Sequence, residues 1–410
     1  MKTLPVYYEG RLAATLEQDS AGGYALVYDE AWVRDGFDIS VNLPRTQLRH
    51  SGDAVRAFFE NVLPERTVRA ALAGVLGVSE NNIFGMLARI GRDCAGAFSV
   101  GEPQREGEYR ALSPAKMSDV LKSLSTNPMA TRQRGTSLSL AGAQDKLPLL
   151  FSGSTFYLPL YGAASNCIVK LPIPNFPHSV GNEFFCMRLA HLSGLSAAPV
   201  SIHHLPDMDV LVVVRYDRTG EGFHPQRLAQ EDFCQLSGMS SELKYEAEGG
   251  PSFADCAALI AAHSMQRGRD MLRLVQWAAF NLCIGNNDAH AKNISMLRNG
   301  AKLVLAPFYD LISTTFYGRR LQQRLAMKIG GKAKSFFIAR SRWESFAHDI
   351  MLPPNAVFQT VESTARAILA SLDQTAREGT DAGVPADVVS KLRTHVEART
   401  VKVLEQLSEK

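Results

Sequence analysis

The spacing of hydrophobic positions changes partway along the chain. Residues 4–45 read as short strands: VYYEGRLAATL carries a turn at Glu9-Gly10, and GGYALVY follows a second turn at Ala21-Gly22-Gly23. Two helical patterns come next. In DAVRAFFENVLP, Val55, Phe58, Phe59 and Val62 recur at helical spacing, and SENNIFGMLARIG opens on Ser79 as candidate N-cap. The strand GAFSV closes this block near residue 100, and the polar residues 102–112 read as a linker.

A second β-rich block spans about 136–217. SLSLAG, LPLLF, TFYLPL, CIVKLP and VLVVVRY all have strand composition, interrupted by one helix from Asn182 to Gly194. From about residue 230 the pattern turns helical. DMLRLVQWAAFNLCIG predicts a long, deeply buried helix, and helical segments dominate again from Arg342 to Leu407. A β-rich half followed by a helical half makes a cleft between two lobes the expected ligand site.

Composition adds little to this picture but excludes several classes. Hydrophobic residues make up 46% and charged residues 21% of 410, which suits a large folded core. A net charge of +3 is too small to indicate nucleic acid by itself. The six cysteines (Cys94, Cys167, Cys186, Cys234, Cys256, Cys283) form no C-x-x-C pair and read as small buried residues of a reducing compartment. The first residues lack the apolar run of a signal peptide. The longest apolar stretch, Leu274 to Gly285, is far short of a membrane span, so a cytoplasmic protein is expected.

The segment richest in chemistry is Gly285-Asn286-Asn287-Asp288-Ala289-His290-Ala291-Lys292-Asn293. An Asp followed five residues later by an Asn, straight after a buried helix, has the spacing of a kinase catalytic loop. One carboxylate must meet the attacking hydroxyl, and one amide oxygen must face a metal across the transferred phosphoryl. Asp310, at the end of PFYD and seventeen residues after Asn293, suits a second magnesium ligand. Either Asp alone reads as readily as an ordinary loop or capping residue; the pair at this spacing favours the site.

Upstream, Lys170 stands in the apolar strand CIVKLP, where a charge needs a partner such as the α/β-phosphates of ATP; an edge-strand Lys pointing to water is the competing reading. Glu183, opening the next helix, reads equally as its carboxylate partner or as a first-turn acid favoured by the helix dipole. Ser137 to Lys146 (SLSLAGAQDK) carries small residues that let backbone amides approach phosphates, though a plain hairpin turn reads the same way, and the Walker pattern is absent. Leu211 to Arg218 reads as a strand at the hinge between lobes, where backbone groups would meet an adenine edge.

Taken together, SLAGAQDK, IVKLP, RYDR, Lys244-Tyr245-Glu246 with Gly249-Gly250-Pro251, NDAHAKN and PFYD resemble the HipA family of serine/threonine kinase toxins, as do NVLPERTVR and IGRDCAGAFSV. The likeness runs over nearly the whole chain. It implies an α+β, protein-kinase-like, two-lobed fold with an additional N-terminal β-rich subdomain. The expected division is residues 1–112 for that subdomain, 113–218 for the β-rich N-lobe, and 219–410 for the helical C-lobe.

The resemblance further implies ATP and Mg2+ as cofactors. Asp288 would be the base, with His290 and Lys292 beside the phosphoryl path and Asn293 and Asp310 on the metal. Ala141, Gly142, Ala143, Gln144, Lys146, Lys170, Val214, Tyr216, Tyr309, Asp288, His290, Asn293 and Asp310 would line the nucleotide site. His290 reads as readily as a structural hydrogen-bonding residue.

The resemblance also implies autophosphorylation in the Gly-rich loop at Ser139, with Ser137 as alternative. The implied partners are a HipB-like helix-turn-helix antitoxin, operator DNA through that complex, and a protein target such as glutamyl-tRNA synthetase or another aminoacyl-tRNA synthetase with bound tRNA, with growth arrest as outcome. Val214 departs from the Glu that the family often carries before R-[FY]-D-R, which leaves backbone contacts to the adenine. Residues 319–342 hold eight Lys and Arg and no acid; a grip on tRNA, contact with operator DNA and a solvated loop all remain open for them. A small-molecule kinase and a non-catalytic co-repressor are the rival functions.

Overall fold

The computed structural model describes residues 1–102, 106–126, 146–299, 302–321 and 323–409. It divides into two units, Met1–Leu171 with His203–Glu242, and Pro172–Ile202 with Leu243–Lys410.

The first unit holds two antiparallel sheets. In the first, β1 (Lys2–Tyr8), β2 (Arg11–Gln18), β3 (Tyr24–Tyr28), β4 (Arg49–Ser51) and β5 (Phe98–Val100) lie in the order β4-β3-β2-β1-β5. The helices α1 (Glu30–Asp35), α2 (Asp53–Glu60), α3 (Arg66–Leu76) and α4 (Ile83–Ile90) complete this block, whose core includes Leu16, Leu26, Trp32, Phe59, Met86 and Leu87. The second sheet contains β6 (Glu108–Leu112), β7 (Lys146–Ser152), β8 (Thr155–Leu160), β9 (Cys167–Lys170) and β11 (Asp209–Val214), in the order β11-β9-β7-β8-β6. An outer strand, β10 (Val200–His204), enters the unit at His203, and α5 (Pro114–Thr126) lies between β6 and β7 in the chain. A short ribbon of β12 (Arg218–Thr219) and β13 (Gln226–Arg227), then β14 (Gln230–Asp232) and α7 (Phe233–Leu236), carry the chain onward to Glu242.

Four local expectations need correction. Residues 4–45 are not all strand, because Asp29 caps α1 by accepting the Ala31 and Trp32 N–H groups. The N-cap of α4 is Asn82, whose Oδ1 accepts the Gly85 N–H at 2.8 Å; Ser79 instead bonds Asn81. The supposed linker contains β6, paired with β8 from Glu108↔Leu160 to Leu112↔Phe156; as the edge strand of its sheet it tolerates a polar sequence. The Leu211–Arg218 segment is not one strand: β11 ends at Val214, and the chain stays inside the first unit to Glu242.

A buried ion cluster ties the segment after α4 to the segment after β11. Arg215 meets Asp217 at 2.7 Å and Asp93 at 3.6 Å, Arg218 meets Asp93 at 2.9 Å and Asp217 at 3.0 Å, and Arg227 approaches Asp93 at 3.4 Å. Ser165 and the carbonyls of Cys94 and Gly96 satisfy further hydrogen-bonding groups. Burial alone would push the Asp93 carboxyl up; Arg215, Arg227 and Arg218 outweigh it and hold it below the ordinary carboxylate range. Asp217 is depressed in the same way, by Arg215 and Arg218.

The second unit is mainly helical. α6 (Ser179–Leu192), α8 (Phe253–His263), α9 (Arg267–Ile284), α10 (Arg340–Asp349), α11 (Pro354–Asp381) and α12 (Ala386–Ser408) form it, with α11 packed on α6, α9, α10 and α12. Trp277, Phe280, Trp343 and Phe346 are buried in it. A two-stranded hairpin, β15 (Ser295–Asn299) and β16 (Lys302–Leu305), follows α9. All six cysteines are free and buried, and burial pushes the thiols of Cys167 and Cys283 up to about 12.

Replacing Asp93 by Asn leaves three guanidinium groups facing one carboxylate in a dry interior. Urea unfolding of the full chain should lose about 3–5 kcal/mol from the first transition. Because both carboxylates titrate below their unfolded values, the wild-type network stabilises above about pH 4 and its contribution is lost as pH falls further. An Asp93→Asn midpoint equal to wild type at pH 7 would contradict this account.

Candidate active site

The long buried helix α9 ends where Gly285 takes a left-handed conformation (φ 76°) and returns its N–H to the Asn281 carbonyl. A β-carbon there would meet Thr315 Oγ1 at 1.9 Å and Arg399 Nε at 2.7 Å, so both conformation and space demand glycine. The loop that follows is largely buried, and several of its polar groups are bonded within the unit. Asn281 donates to the Trp277 carbonyl and accepts from Asn286 Nδ2 at 2.9 Å; Asn286 Oδ1 in turn accepts the Asp288 N–H at 3.0 Å. Thr314 Oγ1 accepts the Asn287 N–H at 2.8 Å and donates to the Gly285 carbonyl. A chain of amides thus carries the rigidity of the helix into the loop.

The second half of the loop folds over Asp288. The Asp288 carbonyl accepts the His290 N–H at 2.9 Å and Asn293 Nδ2 at 3.1 Å. That bond commits the Asn293 amide nitrogen and leaves the oxygen as the group able to face a cation. Asp288 Oδ1 accepts the Tyr245 hydroxyl at 2.8 Å. The Tyr245 ring stands edge-on to His290, with centroids 5.2 Å apart, and Lys244 Nζ lies 5.4 Å from its centroid. His290, Lys292 and Asn293 are all buried.

The β15–β16 hairpin explains the seventeen-residue gap to Asp310. Met296 pairs with Leu305, and the Ala306 N–H continues the ladder to the Ser295 carbonyl. The two ends of the hairpin therefore carry Asn293 and Asp310 back towards one another. Tyr309 stitches them: its hydroxyl donates to the Lys292 carbonyl at 2.7 Å and lies 2.7 Å from Ser295 Oγ. Asp310 itself adopts a left-handed backbone (φ 59°), uncommon for a residue other than glycine and held here from both sides. On one side Phe308 bonds Ser196 and Ala198 through its backbone. On the other, Asn182 of α6 makes a reciprocal amide pair with Ser313, both bonds 3.0 Å.

Glu183 requires correction. α6 begins at Ser179, so Glu183 lies in its second turn, buried, and is no first-turn acid.

In the first unit, Lys170 on β9 is 7% exposed and pairs directly across the ladder with Lys146 on β7. Directly opposed residues share one face of the sheet, so the two lysines stand side by side. Val214, the last residue of β11, is 46% exposed, and the Tyr216 hydroxyl bonds the Gln230 side chain. Ser137, Ser139, Ala141, Gly142, Ala143 and Gln144 lie outside the described residues. Sequence reasoning gave Tyr245 no role of its own; its place in the KYE-x-x-GGP motif was the available signal.

An α+β chain whose buried helix delivers an Asp-to-Asn turn, closed by a hairpin onto a further Asp, is of the protein-kinase-like class. The profile of the HipA-like C-terminal domain matches residues 138–372, and that of the HipA N-terminal domain matches residues 4–101. The chain is 37% identical over 391 residues to Y4mE of Sinorhizobium fredii, a protein named as a kinase, covering 92% of this chain and 93% of that one. It is 31% identical to the serine/threonine-protein kinase toxin HipA of Shewanella oneidensis, over 89% of this chain and 87% of the relative. A solved Shewanella oneidensis structure of HipA with HipB and operator DNA superposes with a TM-score of 0.86 at 28% identity, covering 99% of this chain and 98% of that one. The chain belongs to the HipA family, and by class it is a serine/threonine protein kinase.

Gly285→Ala should lower stability by about 2 kcal/mol or more, since it adds a strained φ to a clash. Thermal unfolding followed by circular dichroism measures this; an unchanged midpoint would mean the loop is held otherwise.

Proposed function

We propose that this kinase transfers the γ-phosphoryl group of ATP to a serine or threonine hydroxyl of a protein, as the toxin of a type II toxin–antitoxin module. The observation that carries the reading is the Asp288 carboxylate. It is pinned through Oδ1 by Tyr245, on a loop whose Asn293 amide is already turned by its bond to the Asp288 carbonyl. A base so fixed loses little freedom when a target hydroxyl arrives.

The residues suit magnesium. It prefers oxygen ligands and is usually held by one or two carboxylates together with substrate phosphates. Asp310 and the Asn293 amide oxygen are such a set, and among the described residues no cluster of three or more His, Cys, Asp or Glu offers a closed protein cage. Magnesium with ATP supplies the phosphoryl group and neutralises charge developing on it. Lys170 and Lys146 hold the phosphates, and their place side by side in the β7–β9 ladder supports that role. Backbone amides of Ala141 to Gln144 cover the phosphates, and the backbone around Val214 and Tyr216 meets the adenine. Tyr309 fixes the turn bearing Asp310. Asp288 accepts the proton of the attacking hydroxyl, while His290 and Lys292 steady developing negative charge.

Self-phosphorylation at Ser139, or at Ser137, would add about −1.5 to −2 charges to the phosphate-binding loop and switch it off. A HipB-like helix-turn-helix antitoxin, with operator DNA bound through it, is the proposed partner, supported by the relative solved with HipB and operator DNA. The target is a translation component such as an aminoacyl-tRNA synthetase. Cytoplasmic residence accords with the six free thiols and with the finding that, among the described residues, no helix is long and apolar enough to cross a membrane.

Asp288→Gln should lower kcat by about 10²–10⁴-fold while leaving the thermal midpoint unchanged, measured with γ-phosphate-labelled ATP and cell lysate. Undiminished labelling would remove Asp288 as base. Tyr245→Phe removes the hydrogen bond that orients the Asp288 carboxylate, so kcat should fall about tenfold with KM for ATP unchanged. A kcat equal to wild type would reduce Tyr245 to packing.

A further inference from the structure

The basic segment beyond Asp310 is built as a platform with two unlike faces. Residues 325–333 form a tight hairpin: Leu325 bonds the Ala333 carbonyl, and Ile329 and Lys332 exchange both backbone hydrogen bonds around Gly330-Gly331. Its inner face is buried. Leu325, Ala326, Met327 and Ile329 line a small cavity together with Trp277 and Ala289. Ala326 pins the hairpin to the Asp288 loop, donating to the Asn287 carbonyl at 2.9 Å and accepting the Glu246 N–H at 3.2 Å. The hairpin therefore sits one residue from Asp288 on one side and one residue from Tyr245 on the other.

Its outer face is of different character. Arg324, Lys332 and Lys334 are exposed, and Phe336 and Phe337 are 70% and 61% exposed in the turn that follows. Residues 323–342 contain no acid, and Lys328 on the hairpin pairs with Glu246 at 3.3 Å. Two adjacent aromatic rings in water are unfavourable unless something covers them, and aromatic anchors beside cations are typical of contact surfaces. Charge complementarity calls for an acidic partner.

We propose that residues 324–337 dock the polypeptide to be phosphorylated, selecting acidic residues near the acceptor hydroxyl and an apolar residue against Phe336 and Phe337. This deepens the kinase reading and rests on it. A single-stranded nucleic acid would also meet cations and aromatic rings. The polypeptide is favoured because the platform is hydrogen-bonded to the loop whose carboxylate receives the target hydroxyl.

The test uses the full chain, magnesium, γ-phosphate-labelled ATP and an array of Ser/Thr peptides with systematically varied flanks. Peptides with Asp or Glu flanks should be labelled about tenfold more than those with Lys or Arg. The triple variant Arg324→Glu, Lys332→Glu, Lys334→Glu should raise KM for acidic peptides and invert the preference, with ATP turnover unchanged. Phe336→Ser with Phe337→Ser should raise KM without altering charge preference. Turnover with no charge preference, or a preference that survives triple reversal, would overturn this inference alone. So would a triple variant that loses only retention on poly(U) RNA. Absence of ATP turnover in the wild type would overturn the kinase reading and this inference with it.

Discussion

The backbone groups of a loop that runs below the surface must find partners, and that requirement organises the second unit. Residues 285–293 leave α9 below the surface, where an unmet N–H or C=O costs as much as a lost hydrogen bond. The partners come from α9 itself (Asn281), from the stretch after β16 (Thr314, Thr315), from the hairpin at Ala326 and from the Tyr245 segment. All but Asn281 are distant in sequence, so the loop acquires its geometry only when helix, hairpin and turn are all in place. Asp288 and Asn293 inherit that rigidity.

The same economy holds in the first unit with charge in place of hydrogen bonding. Asp93, Arg215, Asp217, Arg218 and Arg227 are all buried and compensate one another. Removing either carboxylate leaves a larger excess of positive charge in low dielectric, so the segments bearing them are constrained together. RYDR, which in isolation reads as the end of a strand leading to a hinge, is an anchor joining the N-terminal block to the second sheet.

Much of the site was legible because its chemistry requires particular residue types at short spacing. Asp288 and Asn293 share one loop, and the helix before them announced itself by a long, mostly apolar run. Asp310 was legible as a lone acid after a strand. What the spacing did not show was the antiparallel hairpin that brings it back, or the left-handed backbone that holds it. The motif around Tyr245 did not reveal its partner, since its contact with Asp288 spans 43 residues. The errors were of the same kind: the start of α6, the cap of α4 and the edge strand β6 depend on which neighbours bury each residue.

The amino-acid sequence by itself determined the kinase class, the family likeness and the identity of the acidic and amide groups, because short-range patterning and reactive side chains are written locally. Only the tertiary structure decided that Asp288 is gripped by Tyr245, that Asp93 sits among three arginines, and that a basic hairpin hangs from the Asp288 loop with two phenylalanines exposed. Those facts depend on contacts between distant segments and on burial. Both arise from how the chain packs, which no stretch of residues specifies alone.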